Sequence, residues 1–455
     1  MDTAASRPPA LLEPPARRAW RLPLGARVVI GVVLGAALGV AFGTRPWWFG
    51  HGNEDLGALG LLVIRLLKAL ATPLIMLAVL DSFLTTSLSG RTFVRFITIC
   101  FVNIAVAMTI GLTILNAFHP GLAWRGHLDQ MTGRAVSPVP PPPTGAPAAP
   151  PAGATLDLLK NIAGYVPESV VEPLAKNSII SLVLLAILCG AALRRLKDRG
   201  SPGIAYIQPI VTTLFELLTT MLLWVAEVVP FAVLGIVAQV VGRAGLDVFR
   251  SLWLFLVVIL AGLLLHSLVY YPLAAWFVGR RTPREYLGKA SDAVLTGLST
   301  NSSLATVPVT LRCLRDLDVG AASARVSACI GTNLNNDGII LYEAMATVFL
   351  CQAFGYNLSL VHQLTIVLAS VMAGVGIAGV PEAGLIVLPL VLAAAGLPEA
   401  AVAAAIPLIV PVDWIIARVR SGVNVLADML VAILLDRFER RSPAALRTPE
   451  PVAER

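Results

Sequence analysis

The chain reads as an all-α integral membrane protein, and three observations predict it. Mean hydropathy is +0.80. Charged residues make up only 13%, where soluble domains carry about 25%. Eight apolar runs are each long enough to cross a hydrocarbon core, which takes about 20 helical residues. Hydrophobic residues fill 57% of the 455 positions, so no soluble stretch can form a second domain. The net charge of +7 sits at the ends of apolar runs rather than on one face, which excludes a nucleic-acid partner. Cys100, Cys189, Cys313, Cys329 and Cys351 are scattered without CxxC spacing, so neither a disulfide framework nor a zinc site is expected.

Taken in order, residues 1–26 form a Pro- and Arg-rich tail. The first apolar run, about 27–43, lacks a small-residue cleavage site and reads as an uncleaved span. Further spans are expected at about 57–88, 93–118, 178–194, 204–241, 248–279, 319–354 and 400–435. Residues 119–154, with "PVPPPPTGAPAAPPAGA" at 138–154, read as a flexible extracellular loop. Residues 437–455 read as a second tail.

Two apolar segments, 285–311 and 361–397, are interrupted by "STNSSLATVP" and "AGVGIAGVPEAG". Such irregular backbone survives at membrane depth only when buried in protein or lining a cavity. Each reads as a re-entrant helical hairpin. Placing Arg17, Arg18, Arg21 and Arg27 in the cytoplasm returns "SGRTFVR", "LRRLKDRG", "GRRTPREYLGK" and "LLDRFERR" to the same side, as the positive-inside rule demands. Both termini are then cytoplasmic in a multi-pass cell-membrane protein, and Arg243 and Arg250 are minor exceptions. The symmetric placement of the hairpins points to inverted repeats with a binding site at the midplane.

Polar residues inside the spans carry the functional signal, because burying them in a bilayer is costly. In "CIGTNLNNDGIILYEA", Asn335, Asn336, Asp337 and Gly338 are poor helix formers and predict local unwinding. Unwound carbonyls with Asn335, Asp337 and Asp428 would supply the hard oxygen ligands that small cations take. In the last span Asp413, Arg420, Asn424 and Asp428 fall within a helical sector of roughly 80°, while Arg418 points elsewhere. Arg418 reads as snorkelling or pairing at a helix interface, His266 as an interhelical hydrogen-bonder and Glu343 as structural. Thr300 and Asn301 read as structural, and Ser302 and Ser303 read as caps that can also present amides to an anion. "GVGIAG" has no preceding strand and is not a dinucleotide loop. A serine enzyme is disfavoured because no nucleophile elbow or partnered histidine accompanies Ser302 or Ser303.

Five motifs, in order, make residues 27–436 resemble the dicarboxylate/amino acid:cation symporters, the family of excitatory glutamate transporters. They are "KALATPLIML", "NSSLATVPVTLRCL", "NNDGIILYEA", "AGVPEAG" and "VDWIIARVRSGVNVLAD". The resemblance implies eight transmembrane helices plus two re-entrant hairpins, an elevator mechanism and a homotrimer in the lipid bilayer. It implies a scaffold mainly of 27–56 and 119–250, and a transport domain mainly of 57–118 and 251–436. For the substrate it implies Ser302, Ser303, Gly384, Arg420, Asn424, Ser421, Ala417 and Ile339, with Asp413 holding the arginine. For sodium it implies a first site of Gly331, Asn335, Asn424 and Asp428, and a second of Thr332, Ala373, Gly374 and Gly376.

Departures from the pattern carry further expectations. Ala417 replaces the aspartate that holds a substrate ammonium in the amino-acid carriers. An unpaired ammonium would lose about 2–5 kcal/mol there, so a small anion without an amine, such as succinate, malate or fumarate, is expected. Leu304 replaces a serine and Ile339 a threonine. A third cation site at Asp337 would meet Asn103 and Ile104 in place of hydroxyls, which leaves protons as an alternative coupling ion. Glu382 has no counterpart in the pattern. Two other readings stay open: a sodium-coupled glutamate/aspartate carrier, and a homologue acting as sensor or anion channel.

Overall fold

In a computed structural model of the protein, the residues described are 24–47, 49–85, 90–125, 166–176, 178–356, 358–377 and 382–440. The Pro-rich run 138–154, both distal tails and the hairpin stretch 378–381 lie outside them. The described chain is built from helices. In order they are α1 Leu24–Phe42, α2 Asn53–Thr85, α3 Gly90–Phe118, a 3-10 turn Pro120–Trp124, α4 Glu172–Ala175, α5 Ile179–Asp198 and α6 Ile204–Ala244. Then come α7 Asp247–Leu265, a π-turn His266–Tyr270, α8 Tyr271–Phe277, α9 Pro283–Thr300 and α10 Ser303–Asp316. Last are α11 Ala321–Arg325, a π-turn Val326–Gly331, α12 Thr332–Leu334, α13 Asp337–Ala353, α14 Leu360–Gly376, α15 Ala383–Ala394 and α16 Glu399–Arg440.

Among the described residues, five helical stretches are long and apolar enough to cross a bilayer: Asn53–Thr85, Arg91–Phe118, Ile204–Ala244, Leu252–Phe277 and Ala401–Arg440. Ala26–Phe42, Leu360–Gly374 and Ala383–Ala394 are shorter apolar helices. The run 319–354, expected as one span, is divided into α11, a π-turn, α12 and α13. Prolines inside α2, α6, α15 and α16 are carried without ending the helix, as neighbouring helices in a membrane protein allow.

Glycines set the closest packing. Gly31, Gly35 and Gly39 repeat every fourth residue along α1 and face α6. A Cβ at these positions would meet the carbonyls of Pro230 and Leu234 and the side chain of Val241. Gly57 and Gly60 of α2 lie against Gln239 and Ala232 of α6, and Gly235 answers from α6 against Leu56. Such small-residue seams replace the hydrophobic drive that is missing between helices in lipid. At the end of α6, Arg243 is neutralised by Glu54 of α2, its Nε donating to Oε1 at 2.6 Å, while Gln239 Nε2 donates to the other oxygen at 2.9 Å.

The interrupted segments form two helix pairs. α9 and α10 pack against each other and against α16, joined by Asn301 and Ser302. α14 and α15 pack together and against α13, and α15 also packs against α16. Thus both pairs meet the last helix, and α13, buried along its whole length, packs between that helix and the second pair.

Candidate functional site

The site begins where α13 starts. Asn335 (φ −115°, ψ 61°) and Asn336 (φ −97°, ψ 52°) are non-helical, so the expected unwinding falls on these two residues. Asn336 ties the break in place. Its Nδ2 donates to the Gly374 carbonyl at 2.9 Å and to the Ile377 carbonyl at 3.0 Å, at the end of α14. Its Oδ1 accepts from Asn424 Nδ2 at 3.3 Å. Asn424 Oδ1 in turn accepts from Gly338 N at 2.8 Å. A Cβ on Gly338 would press on the Arg420 carbonyl and on Asn424, so glycine permits this contact between α13 and α16. The sequence pointed to Asn336 only as a poor helix former, not as the side chain that ties the break to α14.

α16 delivers the polar face the wheel predicted. Asp413, Arg420, Asn424 and Asp428 are all buried, at 0–2% exposure. Arg418 is half-buried and apart from them, its guanidinium donating to the Trp414 carbonyl at 2.7 Å. Arg420 Nη1 lies 3.6 Å from Asp413 Oδ1, a charge pair without a hydrogen bond. The guanidinium carbon stands 4.5 Å from the Tyr342 ring centroid, a cation–π geometry. Gly384, in the first turn of α15, touches the guanidinium so closely that a Cβ there would overlap it. Arg420 therefore faces the N-terminal end of α15, whose backbone N–H groups carry partial positive charge. Nη1 and both Asp413 oxygens have no hydrogen-bond partner. A buried cation with an unused donor beside a helix N-terminus has the chemistry to receive a carboxylate. Tyr342, the ring beneath Arg420, was not anticipated; its place in "LYEA" was the available signal.

The junction of α9 and α10 reaches the same helix. Ser302 caps α10, its hydroxyl oxygen accepting from Ala305 N at 3.2 Å. Ser303 keeps a buried hydroxyl without a partner. Thr300 donates to the Thr296 carbonyl at 2.8 Å, in line with the structural role expected of it. Asn301 does more: it bridges Ser421 of α16 and Glu382 of the second pair. Ala417 is fully buried on α16 and Ile339 nearly so on α13.

For a small cation, the donors fit in two places. Asn335 Nδ2 donates to Asp428 Oδ1 at 3.2 Å, while Asn335 Oδ1 is buried without a partner. Gly331 lies beside the Asp428 carboxylate, where a Cβ would crowd Oδ1. An orphan oxygen, a carboxylate and close backbone suit a hard cation. Ala373, Gly374 and Gly376 lie in the last turn of α14, where helix carbonyls run out of partners and the dipole is negative. Thr332 is buried in the first turn of α12, a helix that packs on α14.

Around Asp337 the donors are partly committed. Tyr271 donates to Asp337 Oδ2 at 2.9 Å and Tyr270 to Asn103 Oδ1 at 2.8 Å. Ile104 offers no oxygen. His266 stacks on Tyr270 and meets Tyr271 edge-on, with its Nε2 3.6 Å from Asp337 Oδ2. Neither ring nitrogen makes a hydrogen bond, which corrects the expected interhelical bond. Glu343 is fully buried with neither oxygen hydrogen-bonded, so a bracing role for it finds no partner here.

Comparison with known proteins follows the same residues. A profile of the sodium:dicarboxylate symporter family matches residues 24–438. Excitatory amino acid transporter 3 of Mus musculus is 25% identical over 475 residues, covering 91% of this chain and 84% of that protein. Excitatory amino acid transporter 1 of Ambystoma tigrinum is 28% identical over 440 residues, covering 84% and 77%. Excitatory amino acid transporter 3 of Oryctolagus cuniculus is 31% identical over 265 residues, covering 58% and 49%. With nearly all of its apolar length matched, and the buried arginine, the unwound asparagines and both helix pairs inside the match, the chain is a membrane transporter of the sodium:dicarboxylate symporter family.

Proposed function

We propose that this chain is a secondary active symporter that moves a small dicarboxylate across the cell membrane, driven by sodium. The observation that carries the reading is Arg420: buried, with an unused Nη1 donor, and pressed against the start of α15 beside Gly384. Its fork suits one carboxylate of the substrate, held bidentately. The Ser303 hydroxyl and the amides at the start of α10 suit the other. Asp413, 3.6 Å from Nη1, would hold the guanidinium in place, and Ser421 and Ile339 line the same faces of α16 and α13. Gly331, Asn335, Asn424 and Asp428 would hold one sodium ion. Thr332, Ala373, Gly374 and Gly376 would hold a second, and sodium supplies the positive charge that an entering anion needs.

Transport follows an elevator scheme in a homotrimer, with both termini cytoplasmic. In this reading the static part is α1, α2, α5 and α6. The packing of α2 along α6 and α5 supports counting residues 57–85 with that part, where the family resemblance implies a moving group of 57–118. α3, α7, α8, both hairpins, α13 and α16 travel together.

Ala417 favours a substrate without an amine, since an ammonium would find no carboxylate on α16 there. The second reading, a glutamate or aspartate carrier, draws support from the names of the relatives. Uptake into proteoliposomes under a sodium gradient separates them. The expected result is accumulation of succinate, with weak competition by aspartate. Arg420→Ala is expected to abolish uptake without loss of the folded oligomer, measured by size exclusion. Normal uptake by a well-folded variant would overturn the assignment.

A further inference from the structure

Two of the apolar spans, Leu252–Phe277 and Ala401–Arg440, end side by side. Gly279, just past α8, is buried where a Cβ would press on Ile433 of α16. Beside this contact lies a cavity of about 160 Å³, lined by four arginines, Arg280, Arg281, Arg437 and Arg440, and one acid, Asp436. The acid is committed at both oxygens: Oδ1 accepts from Gly320 N at 3.1 Å, and Oδ2 pairs with Arg440 Nε at 2.8 Å. Nearby, Glu285 is taken by Arg281 at 2.8 Å, and Glu439 by Arg95 of α3 at 2.9 Å. Asp318 meets Arg440 through its carbonyl, at 2.7 Å. Arg280 makes no hydrogen bond or ion pair among the described residues. The cavity is therefore ringed by guanidinium groups with a clear excess of positive charge.

Apolar surface adjoins it. Trp276 and Phe277 are 49% and 72% exposed, and their rings stack with centroids 4.9 Å apart. Val278, next in the chain, is exposed as well. An exposed aromatic pair at the end of a span marks the headgroup boundary of a bilayer. The positive-inside rule explains basic residues at span ends, but not their gathering around one cavity from segments far apart in the chain. A soluble anion would use the arginines alone. A molecule that joins a phosphate to apolar chains uses both surfaces.

We propose that this cavity seats the phosphate of an anionic phospholipid, whose acyl chains run along Trp276, Phe277 and Val278. The guanidinium fork matches phosphate oxygens bidentately. Anionic lipid is enriched in the cytoplasmic leaflet, the side to which charge placement assigns these loops. Bound there, the lipid ties the end of α8 to the end of the helix that carries Arg420. The site stands independently of which substrate is carried.

Full-length protein in a neutral detergent, titrated with short-chain phosphatidylglycerol, phosphatidylcholine or inorganic phosphate, tests this. Thermal unfolding and native mass spectrometry are the readouts. Phosphatidylglycerol is expected to raise Tm saturably and to stay bound as an adduct, while the other two do neither. Arg280→Gln is expected to weaken its apparent affinity about fivefold, the usual worth of one basic residue at an anionic surface. Adding Arg437→Gln is expected to weaken it further. Arg199→Gln removes an exposed charge at the end of α5, away from the cavity, and is expected to leave lipid affinity unchanged. An equal gain in Tm from phosphatidylcholine or from inorganic phosphate overturns the lipid assignment. Undiminished phosphatidylglycerol affinity in Arg280→Gln, or an equal loss in Arg199→Gln, overturns the site. The single variant lies on an exposed turn and decides the matter even where the double variant fails to fold.

Discussion

At the scale of single residues, the proposed recognition divides between Arg420 and Ala417. A buried guanidinium with an unused donor costs about 1–3 kcal/mol for each hydrogen bond left unmade, and an arriving carboxylate recovers it. Nothing comparable awaits an amine, because Ala417 presents only a methyl group. Ala417→Asp is therefore expected to move preference toward aspartate by about tenfold or more, the equivalent of one charge-assisted bond of roughly 1.5–3 kcal/mol. Competition of aspartate against labelled succinate measures it, and no gain for the aminated ligand would remove the specificity argument. The side-chain chemistry of α16 was readable from sequence because helical periodicity alone puts Asp413, Arg420, Asn424 and Asp428 on one face. The contacts of Arg420 with Tyr342 and Gly384 were not, since they join segments far apart in the chain. His266 shows the same limit: its type suggested a hydrogen bond, but the aromatic stack with Tyr270 and Tyr271 decides its surroundings.

Among elements, the break between α12 and α13 matters most. Its existence was legible, because Asn335, Asn336 and Gly338 resist helix. Its fixing was not, because that depends on Asn336 reaching the end of α14. Asn336→Ala removes bonds to the Gly374 and Ile377 carbonyls and to Asn424. Destabilisation of about 2–3 kcal/mol is expected from these buried bonds. Because the same carbonyl-rich turn is a candidate sodium site, the rise of Tm on adding sodium should shrink as well. Thermal unfolding of wild type and variant, with and without sodium, reads both effects. An unchanged sodium increment would separate the break from cation binding. The hairpins were legible as interruptions; the cap at Ser302 followed from its residue type, while the bridge from Asn301 to Glu382 did not.

For the whole molecule, composition established the membrane class, and charge placement suggested which loops share a side. Neither revealed how the helices pair. The α1 repeat of Gly31, Gly35 and Gly39 is plain in the sequence, but its target on α6 is a matter of three dimensions. Gly35→Val is expected to separate α1 from α6, because a Cβ there already meets the Leu234 carbonyl. Loss of the folded species in detergent and a fall of several degrees in Tm would report it, since about 1–3 kcal/mol of overpacking is typical. A variant as stable as the wild type would show that the seam is not needed.

The seam has one more consequence. Where backbone rests on backbone, no rotamer can be traded to absorb a change in bilayer thickness, so α1 and α6 must tilt as a single rigid plank. Adjustment to thinner or thicker lipid then falls on helices outside that joint, and the rate of substrate movement should follow acyl-chain length even though the side chains proposed to touch the ligand are buried.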